Sequence, residues 1–564
     1  MRKLLLAVIL FCATSFLFAQ TPVIQEATPI EQIIAELNNS AAKTEAPMHL
    51  PYPVIFVHGL VGDFDTWGNI NGYLSTQGLT FGGQLAYCLN SDNQPTSNIY
   101  STQLTDIKSC VGISNSVAAG DFYIINFDVN PDCEDFFNWE INDVLSNQAA
   151  IVKQGAAIKF AIKAVMQLTG RDKVILFGHS MGGLAARTYL QTSSFWQEDG
   201  KHHCAKLITT GTPHLGNGLT SLNLTAIFGW IDENSDALRD MQKWFYTGYE
   251  GVFLNGGFEY AGVIDQNYYS KDINCNGVIG NQIEGLNDKS IPSDFDISCI
   301  VGDLLYAGSG DGVVAVEGAD MKNALTEIHR EKFTASSNHL SLPDLLEENI
   351  LALDEPDDYN LSYRIEPNIT YTGYITTQGE GGNYDYDYDD FVFTIPAGKV
   401  SFTVSGALAE QMTGQILNIN ELKIMEATAG AASFISSPEI TLPAGTYYFE
   451  TFKYPAVDDW FHPYTYRVNF TPIASEIIEQ GFVQSASLVP NPATDQSTFS
   501  ATFATDTKGT LTLSDALGRV VQSQPFTGDA LTHTFDLSAA VPGAYLVTLR
   551  TGEGVKAWKL LKQQ

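Results

Sequence analysis

Lys173-Val-Ile-Leu-Phe177 runs into Gly178-His-Ser-Met-Gly-Gly183 and then into Leu184-Ala-Ala-Arg-Thr-Tyr-Leu-Gln191. The first segment is a short apolar run with branched residues, as a buried strand requires. The last is a helix whose small residues let it pack closely. The turn between them is glycine-rich and tight, with Ser180 at its apex. A side chain there stands at a helix N-terminus, where backbone N–H groups and the helix dipole favour developing negative charge. The G-x-S-x-G spacing alone is weak, since composition produces it about 0.3 times in a chain of this size. The strand before it and the helix after it make it a nucleophile elbow rather than a glycine turn with a capping serine.

Working outward, Val54–Val57, Phe122–Phe127 and Leu207–Thr210 are further apolar runs, and Ala149–Leu168 carries amphipathic helical periodicity. Short apolar strands alternating with helices predict an α/β architecture, a mostly parallel sheet covered on both faces. Val54–Val57 leads into His58-Gly-Leu-Val-Gly62, a second glycine-rich turn at a strand end. The backbone N–H groups of Leu60 and Met181 are the expected donors to an oxyanion. His58 is expected to be structural, stabilising its own loop.

Val54–Gly62, Gly178–Gly183 and Gly211-Thr-Pro-His214 together resemble an α/β-hydrolase of the lipase type. The similar groups are bacterial triacylglycerol lipases, lecithin–cholesterol acyltransferases and GPI inositol-deacylases. The resemblance covers about residues 50–350 and implies a triad in the order Ser, then Asp or Glu, then His. The partners of Ser180 must then follow it. A serine hydroxyl becomes a nucleophile only when an imidazole takes its proton and a carboxylate orients that imidazole. Of the histidines, His49 and His58 precede the elbow and His179 adjoins the serine. His202, His203 and His214 lie in loops, His329 in a charged stretch, and His462 and His533 in later β modules. His339 remains, in a loop between an apparent strand, Glu331–Ala335, and an amphipathic helix, Leu342–Leu353. For the acid, Asp311 in Gly308-Ser-Gly-Asp-Gly-Val-Val314 resembles the lipase aspartate after the seventh strand, with Asp303 and Asp320 as competitors.

Leu215 to Ile300 is expected to be an inserted cap, with aromatic stretches at Ala226–Ile231 and Trp244–Tyr246 offering an acyl-binding surface. Within it, Asp272-Ile-Asn-Cys-Asn-Gly277 resembles the start of a calcium loop, with Asp272, Asn274 and Asn276 as candidate ligands. The glutamate expected at position twelve is displaced to Glu284. The chemistry itself requires no cofactor.

After about Pro356 the pattern changes to period-two alternation, as in Phe391–Ile395, Val400–Val404, Thr446–Glu450 and Tyr464–Phe470, which predicts an all-β sandwich. With Tyr384–Gly398 and Leu442–Tyr448, this segment resembles a pre-peptidase C-terminal module. Asp385, Asp387 and Asp389 share one face of a strand, a solvated acidic edge or else a lure for a cation. A second β unit, containing Thr510–Leu513 and Tyr545–Leu549, starts near Ser485. Leu488-Val-Pro-Asn-Pro-Ala493, Leu517-Gly-Arg519 and Pro542–Leu549 resemble a type IX secretion sorting domain, which implies the type IX machinery as a partner.

The expected order is a signal peptide over 1–19, a lead-in over 20–50 and a hydrolase domain over 51–355. The sandwich follows over 356–474 and the sorting domain over 485–564. Arg2 and Lys3 before the apolar run Leu4–Phe18 mark the secretory signal, and Cys12 inside that run argues against a lipoprotein. With 30 basic and 64 acidic residues the net charge is −34. Such a chain repels phosphate backbones, which excludes nucleic acid as a partner. No long uncharged apolar run follows the signal, so no membrane span is expected in the mature protein. Oligomeric state is not legible.

Removing the signal leaves Cys88, Cys110, Cys133, Cys204, Cys275 and Cys299, an even set that suggests disulfides in an exported chain. Short local loops favour Cys88–Cys110 and Cys275–Cys299, leaving Cys133 with Cys204; no zinc spacing is present. The expected function is a secreted serine ester hydrolase acting on ester or lipid substrates. An acyltransferase or amidase with the same triad, or a silent surface adhesin, are the alternatives.

Overall fold

In the computed structural model the apolar runs lie side by side in one eight-stranded sheet. The structure describes residues 49–60, 62–89, 104–113, 115–134, 146–217, 235–246, 249–259, 272–304, 309–375, 388–406, 412–428, 434–453, 462–472, 483–515 and 519–563. The strands are β1 (Val54–Val57), β2 (Phe81–Cys88), β3 (Lys108–Ser109), β4 (Phe122–Asn126), β5 (Val174–His179), β6 (Cys204–Thr210), β7 (Asp296–Gly302) and β8 (Glu331–Ala335). Their order is β8-β7-β6-β5-β1-β4-β2-β3, every pair parallel except the antiparallel β2–β3 edge.

Strand alternation divides the core. Ile55 and Val57 of β1 face a layer built with α2 (Ile151–Thr169) and α3 (Met181–Leu190), where Ala157, Ile158, Leu184 and Ala185 are buried. Val54 and Phe56 face the opposite layer, with Ile70 and Leu74 of α1 (Gly68–Thr76) and Ile350 and Leu351 of α4 (Leu346–Leu351). That second core continues without interruption into the β-sandwich through Tyr363, Tyr371, Phe391 and Tyr466. Among the described residues, no helix is long and apolar enough to cross a membrane.

The insertion ends earlier than expected. Asp296–Gly302 belongs to the main sheet, because its alternating apolar residues pair with β6 on one side and β8 on the other. Ala226–Ile231 lies outside the described residues, and Trp244–Tyr246 forms a short strand paired with Tyr249–Glu250. The signal peptide and nearly all of the lead-in also lie outside them.

The sandwich has two antiparallel sheets. One runs through Tyr388–Ile395, Gly445–Lys453, Met412–Asn418 and Lys423–Thr428, with Tyr363–Arg364 adding a short parallel edge. The other runs through Tyr371–Ile375, His462–Pro472, Gly398–Gly406 and Phe434–Ser436. Asp389 overturns the solvated-edge reading, since it is buried, as is its neighbour Asp390. Pairing with Gly445–Lys453 places them inside the sheet, opposite Thr451 and Glu450. Asp385 and Asp387 lie outside the described residues. Chain contacts place one unit over Met1–Phe470 and a second over Thr471–Gln564. The second is a five-stranded sheet with its own core of Phe499, Leu511, Phe535, Val547 and Leu560.

The cysteine pairing differs from the expectation. Cys110 bonds Cys133. Cys110 sits opposite Ala86, to whose carbonyl its N–H donates, and a turn in which Asn130 accepts from Asp132 and Glu134 brings Cys133 to it. Cys88 lies in the same buried cluster but outside the bridge. Cys204, Cys275 and Cys299 are buried thiols. The first two belong to different elements from their expected partners, and Cys299 Sγ accepts from Thr209 Oγ1 at 3.5 Å. Burial pushes the Cys204 thiol up to about 12, so it stays protonated and unreactive.

Two tests follow from this packing. Non-reducing peptide mapping should recover a Cys110–Cys133 crosslink, and replacing both by serine should lower stability by about 3 kcal/mol for a loop of this size. Burial, and then Glu450, pushes the Asp390 carboxyl up to about 9. The folded state therefore holds a proton that the unfolded chain releases near pH 4. The resulting stability is full below that pH and is lost as pH rises towards about 9. In metal-free buffer the melting temperature should fall over that window, and Asp390→Asn should flatten the fall; parallel curves would contradict the assignment.

Candidate active site

The backbone at Ser180 is held at φ 53°, ψ −123°, a region side chains rarely occupy. Its N–H donates to Thr210 O at 2.9 Å, tying the turn to β6. The glycines of the motif are needed for close approach. A Cβ added to Gly182 would collide with the carbonyls of Val57 and His58, and one added to Gly183 with the Thr212 side chain. These contacts leave the serine projecting from the end of β5.

His339 and Asp311 meet it there. Ser180 Oγ donates to His339 Nε2 at 2.8 Å, and His339 Nδ1 donates to Asp311 Oδ2 at 2.7 Å. All three residues are buried. The other Asp311 oxygen accepts from the backbone N–H groups of Val313 and Val314 at 2.9 and 2.7 Å, and His339 N–H donates to Asp311 O. Both ends of the His–Asp contact are thus pinned to the backbone. His339 opens a short helical turn capped by Asn338, whose side chain accepts from Leu340 and Ser341 N–H. Gly211 adjoins the cluster: a Cβ there would lie 3.1 Å from Asp311 Oδ2 and 3.2 Å from His339 Nδ1. Of the competing acids, Asp320 is held by Arg330 at 2.8 and 2.7 Å. Asp303 follows β7, where its N–H donates to Ala335 O.

The turn carrying Leu60 packs directly on the elbow, since a Cβ added to Gly59 would lie 2.8 Å from Ser180 Cβ. Met181 opens α3, at the positive end of its dipole. His58 accepts from Phe127 N–H at 3.0 Å through Nε2 and donates to Gly59 O at 2.8 Å through Nδ1. Its ring braces this turn against β4.

Two residues near the site were not singled out from sequence. His179 Nε2 donates to His339 O at 3.0 Å, bracing the loop that carries the imidazole. Burial, and then the neighbouring His339 ring, holds His179 well below the usual histidine range, so it is neutral. Arg187 of α3 is fully buried among neutral partners: Gln191, His214 and Asn287. Burial lowers its guanidinium to about 9. It fastens α3 to the loop after β6 and to the segment before β7. Helical spacing made Gln191 findable as its partner; the other contacts are long-range.

In the calcium-like loop, Asp272 accepts from the N–H groups of Asn276 and Gly277, and Asn276 Oδ1 accepts from Val278 N–H. Asn274 Oδ1 is buried without a hydrogen-bond partner. The Asp272 carboxylate is largely spent on its own turn.

Residues 51–257 match the family model described as PGAP1-like alpha/beta domain, and residues 487–563 match that described as Secretion system C-terminal sorting domain. No curated protein matches the chain. Among solved structures, a Listeria innocua gene product is 15% identical, with 54% of this chain and 95% of that chain covered at a TM-score of 0.31. A lipase-esterase related protein from Clostridium acetobutylicum is 13% identical, covering 55% of this chain and 96% of its own at 0.27. The pre-peptidase C-terminal domain of a Bacillus anthracis collagenase is 19% identical, covering 21% of this chain and 99% of its own at 0.16. Residues 51–257 are thus similar to a PGAP1-like alpha/beta domain, and residues 487–563 to a secretion-system C-terminal sorting domain.

Proposed function

We propose that the protein is an exported serine hydrolase that cleaves carboxylic esters, with lipid esters as the preferred class. The observation that carries this reading is the unbroken relay from Ser180 Oγ through His339 to Asp311, at 2.8 and 2.7 Å. Ser180 Oγ attacks the ester carbonyl as its proton passes to His339 Nε2. Asp311 keeps the other ring proton on Nδ1 and stabilises the imidazolium that forms. The N–H groups of Leu60 and Met181 receive the oxyanion, each supplying about 3 kcal/mol of barrier lowering. Collapse breaks the bond to the alkoxy group, which leaves as the alcohol with the proton from His339. Water, deprotonated by the same ring, then releases the acid and restores Ser180. No step uses a metal or cofactor. Calcium at Asp272, Asn274 and Asn276 remains a structural proposal. Export by a signal peptide followed by the type IX route is part of the same reading, supported by the sorting tail.

Ser180→Ala should lower kcat/KM for p-nitrophenyl esters by at least about 10⁴-fold. Gly211→Ala should act through geometry, lowering kcat while Ser180 is intact, because the new methyl group crowds the His–Asp contact. Across a panel of acyl-chain lengths, activity should rise with longer chains and with micelles. Unchanged turnover in Ser180→Ala would refute the triad, and equal activity on all chain lengths would refute the lipid preference.

A further inference from the structure

Arg187 lies on α3, the helix that begins beside the nucleophile, and its side chain is fully buried. A guanidinium is costly to hold away from water without a counter-charge. Among the described residues, none of its hydrogen-bond partners is an acid. Each of its nitrogens is nevertheless engaged. Nε donates to Gln191 Oε1 at 3.0 Å and Nη1 to His214 Nδ1 at 3.1 Å; Nη2 donates to Asn287 Oδ1 at 3.0 Å and Leu286 O at 3.4 Å. One planar fork thus joins α3, the loop after β6 and the segment before β7. A lysine ammonium lacks that geometry.

The partners also hold one another. Asn287 Nδ2 donates to His214 O at 3.0 Å, and Gln191 Nε2 donates to Leu286 O at 2.8 Å. Because His214 Nδ1 accepts from Arg187, its ring proton lies on Nε2, which faces Thr209 Oγ1 at 3.3 Å. Thr209 in turn donates to Cys299 Sγ of β7 at 3.5 Å. Arg187, His214, Thr209 and Cys299 are all buried.

The loop held in this way borders the reacting groups. At its start, Gly211 N–H donates to Ile300 O at 3.0 Å, and a Cβ on Gly211 would lie 3.1 Å from Asp311 Oδ2 and 3.2 Å from His339 Nδ1. Thr212 packs on Gly183 of the serine turn, where an added Cβ would come 2.0 Å from its Oγ1. His214, at the other end, is in the grip of Arg187. We infer that Arg187 is a positioning residue for the hydrolysis proposed above, on whose triad the inference rests. It fixes Gly211–His214 against α3, so that the Asp311–His339 contact and the serine turn stay in register. Displacement of about 1 Å at such a site costs on the order of 100-fold in rate, so a fork pinned at several points has a large effect from a distance.

The test is made on the full chain. Arg187→Lys keeps the charge and loses the fork. On a short, soluble p-nitrophenyl ester its kcat, per site titrated with a fluorophosphonate, should fall about 10- to 100-fold, while KM stays within about twofold. The downfield proton signal of the Asp311–His339 hydrogen bond, assigned by its absence in His339→Ala, should move upfield as the contact lengthens. Asn287→Ala removes one anchor and leaves the arginine. It should lower kcat about threefold, and cost nothing more in the Arg187→Lys background. If Arg187→Lys does not fold, kcat and the proton signal in Asn287→Ala decide. Wild-type kcat per titrated site, or an unmoved proton signal, overturns the inference while the hydrolase reading stands. Wild-type protein that neither labels nor turns over esters overturns that reading, and this inference with it.

Discussion

The strained backbone at Ser180 is the constraint around which the hydrolase domain is organised. An L-residue at positive φ persists only if its surroundings over-determine it. Here β1, β5 and β6 do so together: the Val57 and His58 carbonyls lie against Gly182, Thr212 lies against Gly183, and Thr210 accepts the serine N–H. A methyl group at either glycine would push the turn off its neighbours. The same approach brings the turn after β1 beside the serine, so two chain ends that could hold an oxyanion and the nucleophile converge from one packing arrangement.

The imidazole is positioned by equally short-range means. Asn338 caps its turn, Asp311 bonds both its ring and its backbone, and His179 holds its carbonyl. Each contact removes a freedom that a loop residue would otherwise keep. The cost is a set of buried polar groups crowded near the end of one sheet, of which Ser180, His339 and Asp311 satisfy one another.

Much of this was legible from local pattern. The apolar runs gave β1, β4, β5 and β6 within a few residues, because a strand buried on both faces has little else in its composition. The convergence of Ser180, His339 and Asp311 was legible because the lipase-type chain order left few candidates and loop context separated them. What escaped depended on partners distant in sequence. Gly82 and Gly83 disguised β2; Gly82 is required by the ring of Tyr123, and Gly83 adopts φ 118° at a shift in register. The Cys110–Cys133 bridge followed strand pairing rather than loop length. Asp389 looked solvent-facing until its neighbours in the sheet were known, since alternation cannot reveal that both faces of a strand are covered.

The central claim is that the Ser180 hydroxyl is activated by its neighbours. Treating the folded protein with a fluorophosphonate and mapping the adduct by mass spectrometry tests this directly. One phosphonyl group on the peptide containing Ser180, lost when His339 is replaced by alanine, is the result the account predicts. An unmodified Ser180 in properly folded protein, or labelling undiminished without His339, would contradict it.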